Sequence, residues 1–134
     1  EVLARTLGGQ EKGTRRIITR TTAFQLASVS KTFASALVAA MVADSVVAWD
    51  DPISRRLQDF RLKDDAATLS LSLRDGLAQR SGLYHHAGDE LEAFGYGRDE
   101  ILRRLRYLEP EGQFRTTFAY QNYVLTAAAV AASQ

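Results

Sequence analysis

The chain has 134 residues, one domain's worth, with 46% hydrophobic and 25% charged residues, an ordinary globular balance that argues against disorder. Seventeen basic against sixteen acidic residues leave a net charge of +1, which gives no reason to invoke nucleic acid, a membrane surface or a strongly charged partner. The absence of cysteine removes disulfides, thiolate chemistry and cysteine-based zinc sites, and apolar runs of about eleven residues are too short to span a bilayer.

Residues 2–7 read as a strand, Gly8-Gly9 through Gly13 as a turn, and residues 15–20 as a returning strand. This predicts an N-terminal β-hairpin, although two strands alone are marginal in water. Ser28 to Asp44 is the clearest helix: Val29, Phe33, Ala36, Leu37, Ala40 and Met41 follow the 3.6-residue period. Its opposite face (Ala34, Ser35, Val38, Ala39, Val42) is also small or apolar, which predicts burial on most sides. Asp51 as N-cap and Pro52 at the first helical position predict a helix to about Leu57 or Asp59. Residues 68–71 read as a short extended lead-in, and Ser72 as the cap of a helix over 73–79, which Gly76 weakens by roughly 1 kcal/mol relative to Ala. Residues 84–97 read as loop, Arg98 to Leu105 as a charged amphipathic helix, and Asn122 to Ala132 as a second small-residue, apolar helix. No internal repeat or low-complexity linker interrupts this order.

Ser28 precedes Lys31 by three residues at the mouth of the first helix. Residues three apart share a helix face, so the Lys31 amine can reach the Ser28 hydroxyl. A serine hydroxyl needs an adjacent base to act as a nucleophile, and a helix N-terminus favours negative charge developing there. The pattern alone is weak, since about one chain in two of this size holds it by chance; an N-cap serine followed by a solvent-facing lysine fits it as well. The apolar run behind Lys31 favours function, because lysine is seldom buried unpaired. Ser30 adjoins the lysine and points elsewhere. Tyr120 and Asn122 form a second element: a phenol able to shuttle a proton and an amide able to position a lysine or a carbonyl. A half-buried tyrosine and an N-cap asparagine describe the same residues. His85-His86 reads as a polar loop near a cleft rim rather than a metal site, since adjacent residues do not share a face and no other histidine exists. Arg103, Arg104 and Arg106, with Asp99, Glu100 and Glu109 nearby, read as a self-compensating solvated face, and Trp49 as a core anchor.

In order along the chain, residues 24–33 around Ser28-Val29-Ser30-Lys31, the turn Trp49-Asp50-Asp51-Pro52, the stretch from Leu71 to Leu83 and Phe118-Ala119-Tyr120-Gln121-Asn122-Tyr123 resemble the motifs of one family. It is the serine beta-lactamase and penicillin-binding-protein superfamily, in its class C beta-lactamase, D-aminopeptidase and esterase branch. The resemblance covers nearly the whole chain. It implies Ser28 as acylated nucleophile, Lys31 as its activator, Tyr120 as general base or acid, and Asn122 as the residue positioning the lysine and the substrate. The Ser28 N–H would form half of an oxyanion hole. No cofactor or metal is implied. The partner would be a small-molecule or peptide substrate, a beta-lactam, D-amino-acid peptide or ester. The expected location is periplasmic or secreted, with the cytoplasm left open.

Gly76 and Gln79-Arg80 depart from the family's leucine and histidine-threonine, and the family's third motif, a Lys-Thr-Gly or His-x-Gly carried on a sheet strand, has no counterpart before Gln134; His86-Ala87-Gly88 falls in the stretch read as loop. The expected fold class is therefore α+β, a beta-lactamase-like domain over 1–134 that is incomplete. It would hold the N-terminal hairpin and most of the helical region, without the C-terminal sheet strands and helix. Self-association, or pairing with the rest of the fold in the same or another chain, would follow. The competing expectation is a non-catalytic fragment or binding module that keeps both motifs without a complete site.

Overall fold

The computed structural model describes residues 3–134. Its seven helices are α1 (Ser30–Ala43), α2 (Ile53–Arg56), α3 (Asp65–Ser70), α4 (Leu73–Leu77), α5 (Asp89–Ala93), α6 (Arg98–Arg104) and α7 (Asn122–Ala132). Tight 3-10 turns at Ala27–Val29 and Leu105–Tyr107 precede α1 and follow α6.

The α+β expectation is overturned: among the described residues there is no sheet, and the predicted hairpin shrinks to one isolated antiparallel bridge between Gly9 and Ile17. Its flanking bonds run from Gln10 N–H to the Arg16 carbonyl (2.7 Å) and from Ile18 N–H to the Gly8 carbonyl (3.1 Å). The reason is cover. Leu3, Leu7 and Ile17 lie open to solvent, and a two-residue ladder with no packed face cannot hold two strands in register. Val2 of the predicted strand lies outside the described residues.

α7 is the central helix. Ala127, Ala128, Ala131 and Ala132 are buried along it, and these short side chains let α1, α2, α4 and α6 approach its axis. The closest approach is at Gly76 of α4, where a Cβ would stand 2.9 Å from the Ala128 Cβ and 3.0 Å from the Ile53 Cδ1. Gly76 thus trades helix propensity for packing. Around α7 the core gathers Ile53, Phe60, Leu71, Leu73, Leu83, Ile101, Leu105 and Val124, all at most 2% exposed.

Side-chain caps start α3 and α4, while α2 begins after Pro52 without the Asp51 cap that the sequence suggests. Ser72 and Asp75 form a reciprocal capping box on α4, as the Ser72 cap predicts. Asp64 accepts from the N–H groups of Ala66 and Ala67, starting α3, whose last three residues replace part of the extended lead-in expected over 68–71. The loop expected over 84–97 contains α5, a single turn and a half between Gly88 and Gly95, too short to show a period. α1 also departs from expectation. Only Val38 is buried, while Phe33 and Leu37 are 60% and 63% exposed. Its apolar faces exceed the area that α7 covers.

Candidate active site

The site forms where α1 crosses the start of α7. Ser28 sits in the 3-10 turn before α1, and Lys31 in the first turn of the helix itself. Lys31 Nζ donates to Ser28 Oγ at 3.1 Å, the contact that the three-residue spacing predicts. Asn122 is the first residue of α7, with Gln121 at the N-cap position. Packing of α1 on α7 brings its Oδ1 to within 2.6 Å of Lys31 Nζ. Tyr120 lies two residues upstream and donates from its hydroxyl to Ser28 Oγ at 2.5 Å, with the Lys31 ammonium 4.8 Å from its ring centroid. All four residues singled out in the sequence, Ser28, Lys31, Tyr120 and Asn122, therefore meet in one cluster. Ser28 itself is exposed, and Lys31 is half-buried rather than buried.

The electrostatics favour charge on this cluster. The Lys31 ammonium, then the bond to Ser28, hold the Tyr120 phenol below its ordinary value of 10.0, with the Asp89 carboxylate opposing. Ala27, directly before Ser28, has φ +46°, a left-handed backbone that L-residues adopt at a cost and that recurs at functional turns.

A polar scaffold outside the predicted set holds Tyr120 and Asn122 in place. Gln121, between them, is fully buried and fully engaged. Its Oε1 accepts from Ser81 Oγ (2.8 Å), its Nε2 donates to the Leu83 carbonyl (2.6 Å), and its N–H donates to Gln79 Oε1 (2.6 Å). The Tyr120 carbonyl accepts from His86 N–H (2.7 Å), and Tyr120 N–H donates to His85 Nδ1 (3.0 Å). Gln79, His85 and His86 thus latch the segment from two sides. Arg80 pairs with buried Asp75 at 2.8 Å, beside Arg115 at 2.9 Å, so the departure at 79–80 braces this scaffold.

One further residue joins the cluster. Asp89, first in α5, accepts from Asn122 Nδ2 at 2.8 Å and from His86 Nδ1 at 2.7 Å through the same oxygen, Oδ2. Sequence reasoning missed Asp89, because it carries no motif of its own and reaches Asn122 only through folding. Among the described residues no group of three or more His, Asp or Glu side chains converges on a common point. Away from the site, Glu100 pairs with Arg103 and Arg104, and the Arg106 guanidinium donates to the Asp59 carbonyl.

A profile of the Beta-lactamase family matches residues 1–133. The chain is also 28% identical over 119 residues to a protein named Unguisins hydrolase ungD' from Aspergillus campestris. That alignment takes in 83% of this chain and 22% of the relative, so the chain spans about a fifth of the length of the curated protein it matches. Matched along all but its final residue, the chain belongs to the Beta-lactamase family of the serine beta-lactamase and penicillin-binding-protein superfamily, a family of serine hydrolases.

Proposed function

We propose that this chain carries the nucleophile and its activating groups for a serine hydrolase that works through an acyl-enzyme on an amide or ester. One observation carries the reading: Ser28 Oγ takes hydrogen bonds from Lys31 Nζ and Tyr120 Oη at once, while Asn122 holds the lysine. With Tyr120 ionised, the phenolate accepts the Ser28 proton as Oγ bonds to the substrate carbonyl carbon. Lys31 keeps the phenolate form accessible by its charge. The Ser28 N–H, at the positive end of α1, is one donor to the oxyanion that forms. Collapse breaks the bond to the leaving nitrogen or oxygen, which takes the proton from the Tyr120 phenol. Water then attacks the ester carbonyl, loses its proton to Tyr120, and releases the acid with the Ser28 hydroxyl restored.

The substrate class is a beta-lactam, a D-amino-acid peptide or a carboxylic ester. The relative's name speaks of hydrolysis, which accords with all three. The test is covalent labelling of the whole protein with a fluorescent penicillin and a fluorophosphonate. Labelling that vanishes in Ser28→Ala supports the acyl-enzyme. Labelling that persists in Ser28→Ala places the nucleophile elsewhere, and no labelling by either probe makes the cluster a binding module. Nitrocefin set against p-nitrophenyl esters then separates lactamase from esterase.

A further inference from the structure

The Asn122 amide has two ends of nearly equal shape and opposite polarity. Lys31 needs the carbonyl end, because the ammonium only donates. Nothing in the shape of the amide selects that end. Asp89 does: its Oδ2 accepts from Asn122 Nδ2 at 2.8 Å, which turns Oδ1 toward Lys31 Nζ at 2.6 Å. The flipped amide would set its NH2 group against the ammonium and its carbonyl against the carboxylate, two repulsive contacts in place of two charge-assisted bonds.

Asp89 is itself held on both flanks. His86 Nδ1 lies 2.7 Å from the same oxygen. Gly88, with φ +93°, packs so tightly that a Cβ would meet Ile101, Leu105 and Tyr123 side chains at 3.2 Å, which fixes where α5 begins. The other carboxylate oxygen, Oδ1, is shut off from solvent and takes no partner among the described residues. A buried acceptor left unmatched costs stability, and such costs concentrate at functional sites.

We propose that Asp89 is a positioning residue of the Ser28 site, acting through Asn122 by fixing which end of the amide faces Lys31. The proposal rests on the reading of Ser28 as nucleophile. Without Asp89 only the Lys31 contact selects the orientation, the flipped amide gains population, and Lys31 loses its anchor for part of the time. Acylation slows while substrate binding is little changed.

The test uses the whole protein, with fluorophosphonate labelling rates and p-nitrophenyl butyrate hydrolysis as readouts. Asp89→Ala is expected to slow labelling about 10- to 100-fold, in kcat rather than KM, the range for a misplaced catalytic group. Asp89→Asn, which can still accept from Asn122, recovers most of that loss. The double variant Asp89→Ala/Asn122→Ala is no slower than Asn122→Ala alone, within about 2-fold, because the two act in series. Should Asp89→Ala not fold, Asp89→Ser carries the same cycle. An unchanged rate in the Asp89 variant, or losses that multiply in the double variant, overturns the proposal. Ser28→Ala is assayed alongside: if it labels at the parent rate, the nucleophile reading fails, and that failure is visible without reference to Asp89.

Discussion

Ser28 Oγ is the meeting point of two donors from different parts of the chain, Lys31 from the helix that follows it and Tyr120 from 92 positions away. Each donor has a distinct expected loss. Lys31→Met removes the cation that lowers the Tyr120 phenol, and is expected to slow acylation by about 10²- to 10⁴-fold, the span of general acid–base catalysis, with the melting curve little changed. Tyrosine absorbance followed against pH tests the phenol directly. Tyr120 is expected to ionise below 10.0, while burial and the Glu90 and Glu92 carboxylates push Tyr84 and Tyr123 up to about 12. Tyr120→Phe should erase the early step and leave the late ones. Asp75 supplies a third residue-scale effect. Burial pushes its carboxyl up, but bonds from Ser72 and Arg115 outweigh that and hold it below the ordinary 3.8. Its folded value is depressed, so the folded state binds fewer protons. The stabilisation is complete above 3.8 and disappears as pH falls through the folded value. Denaturant midpoints of the parent and Asp75→Asn should therefore differ at neutral pH and converge on acidification below that range.

Helices were legible where a cap stands beside a long enough apolar pattern, or where the pattern alone is long, and opaque where the element is short. Ser72 announces α4 in the sequence, and the capping box bears it out; Ser72→Ala is expected to cost about 1 kcal/mol in a denaturant melt. Asn122 and Ala132 bound α7 as read from its run of small and apolar residues. α3 and α5, of six and five residues, are too short for periodicity to register, and α3 also hides its Asp64 cap behind a second aspartate. Gly76 was readable only as a weak point of its helix. The structure reverses that meaning, since Ala128 and Ile53 occupy the space a methyl group would need. Gly76→Ala should therefore destabilise the protein by about 1–3 kcal/mol through overpacking, although it raises helix propensity. A thermal or urea melt decides the sign.

At the scale of the whole molecule, apolar surface is unevenly covered. The α7 side is closed by α2, α4 and α6, while Phe24, Leu26, Val29, Phe33, Leu37 and Phe118 remain more than half exposed around the Ser28 turn and along α1. An apolar patch of this kind favours association, so the isolated 134-residue chain is expected to sediment as oligomers or aggregates. A monodisperse, cooperatively melting monomer would contradict this. The same lack of cover explains the failed hairpin: residues 2–7 and 15–20 read as strands around a glycine turn, but strands need a covered face, and the described residues provide none. By itself the sequence determined the family, the helical centre of the chain and the four residues of the cluster. Those rest on local spacing, capping and ordered motifs, which a linear chain carries in full. Only the tertiary structure decided that α1 stays open and that Gly76 is a packing residue. It alone also showed that Gln121 and Asp89 hold the site. Each depends on contacts between segments tens of residues apart, and no local pattern encodes which polar groups burial will bring together.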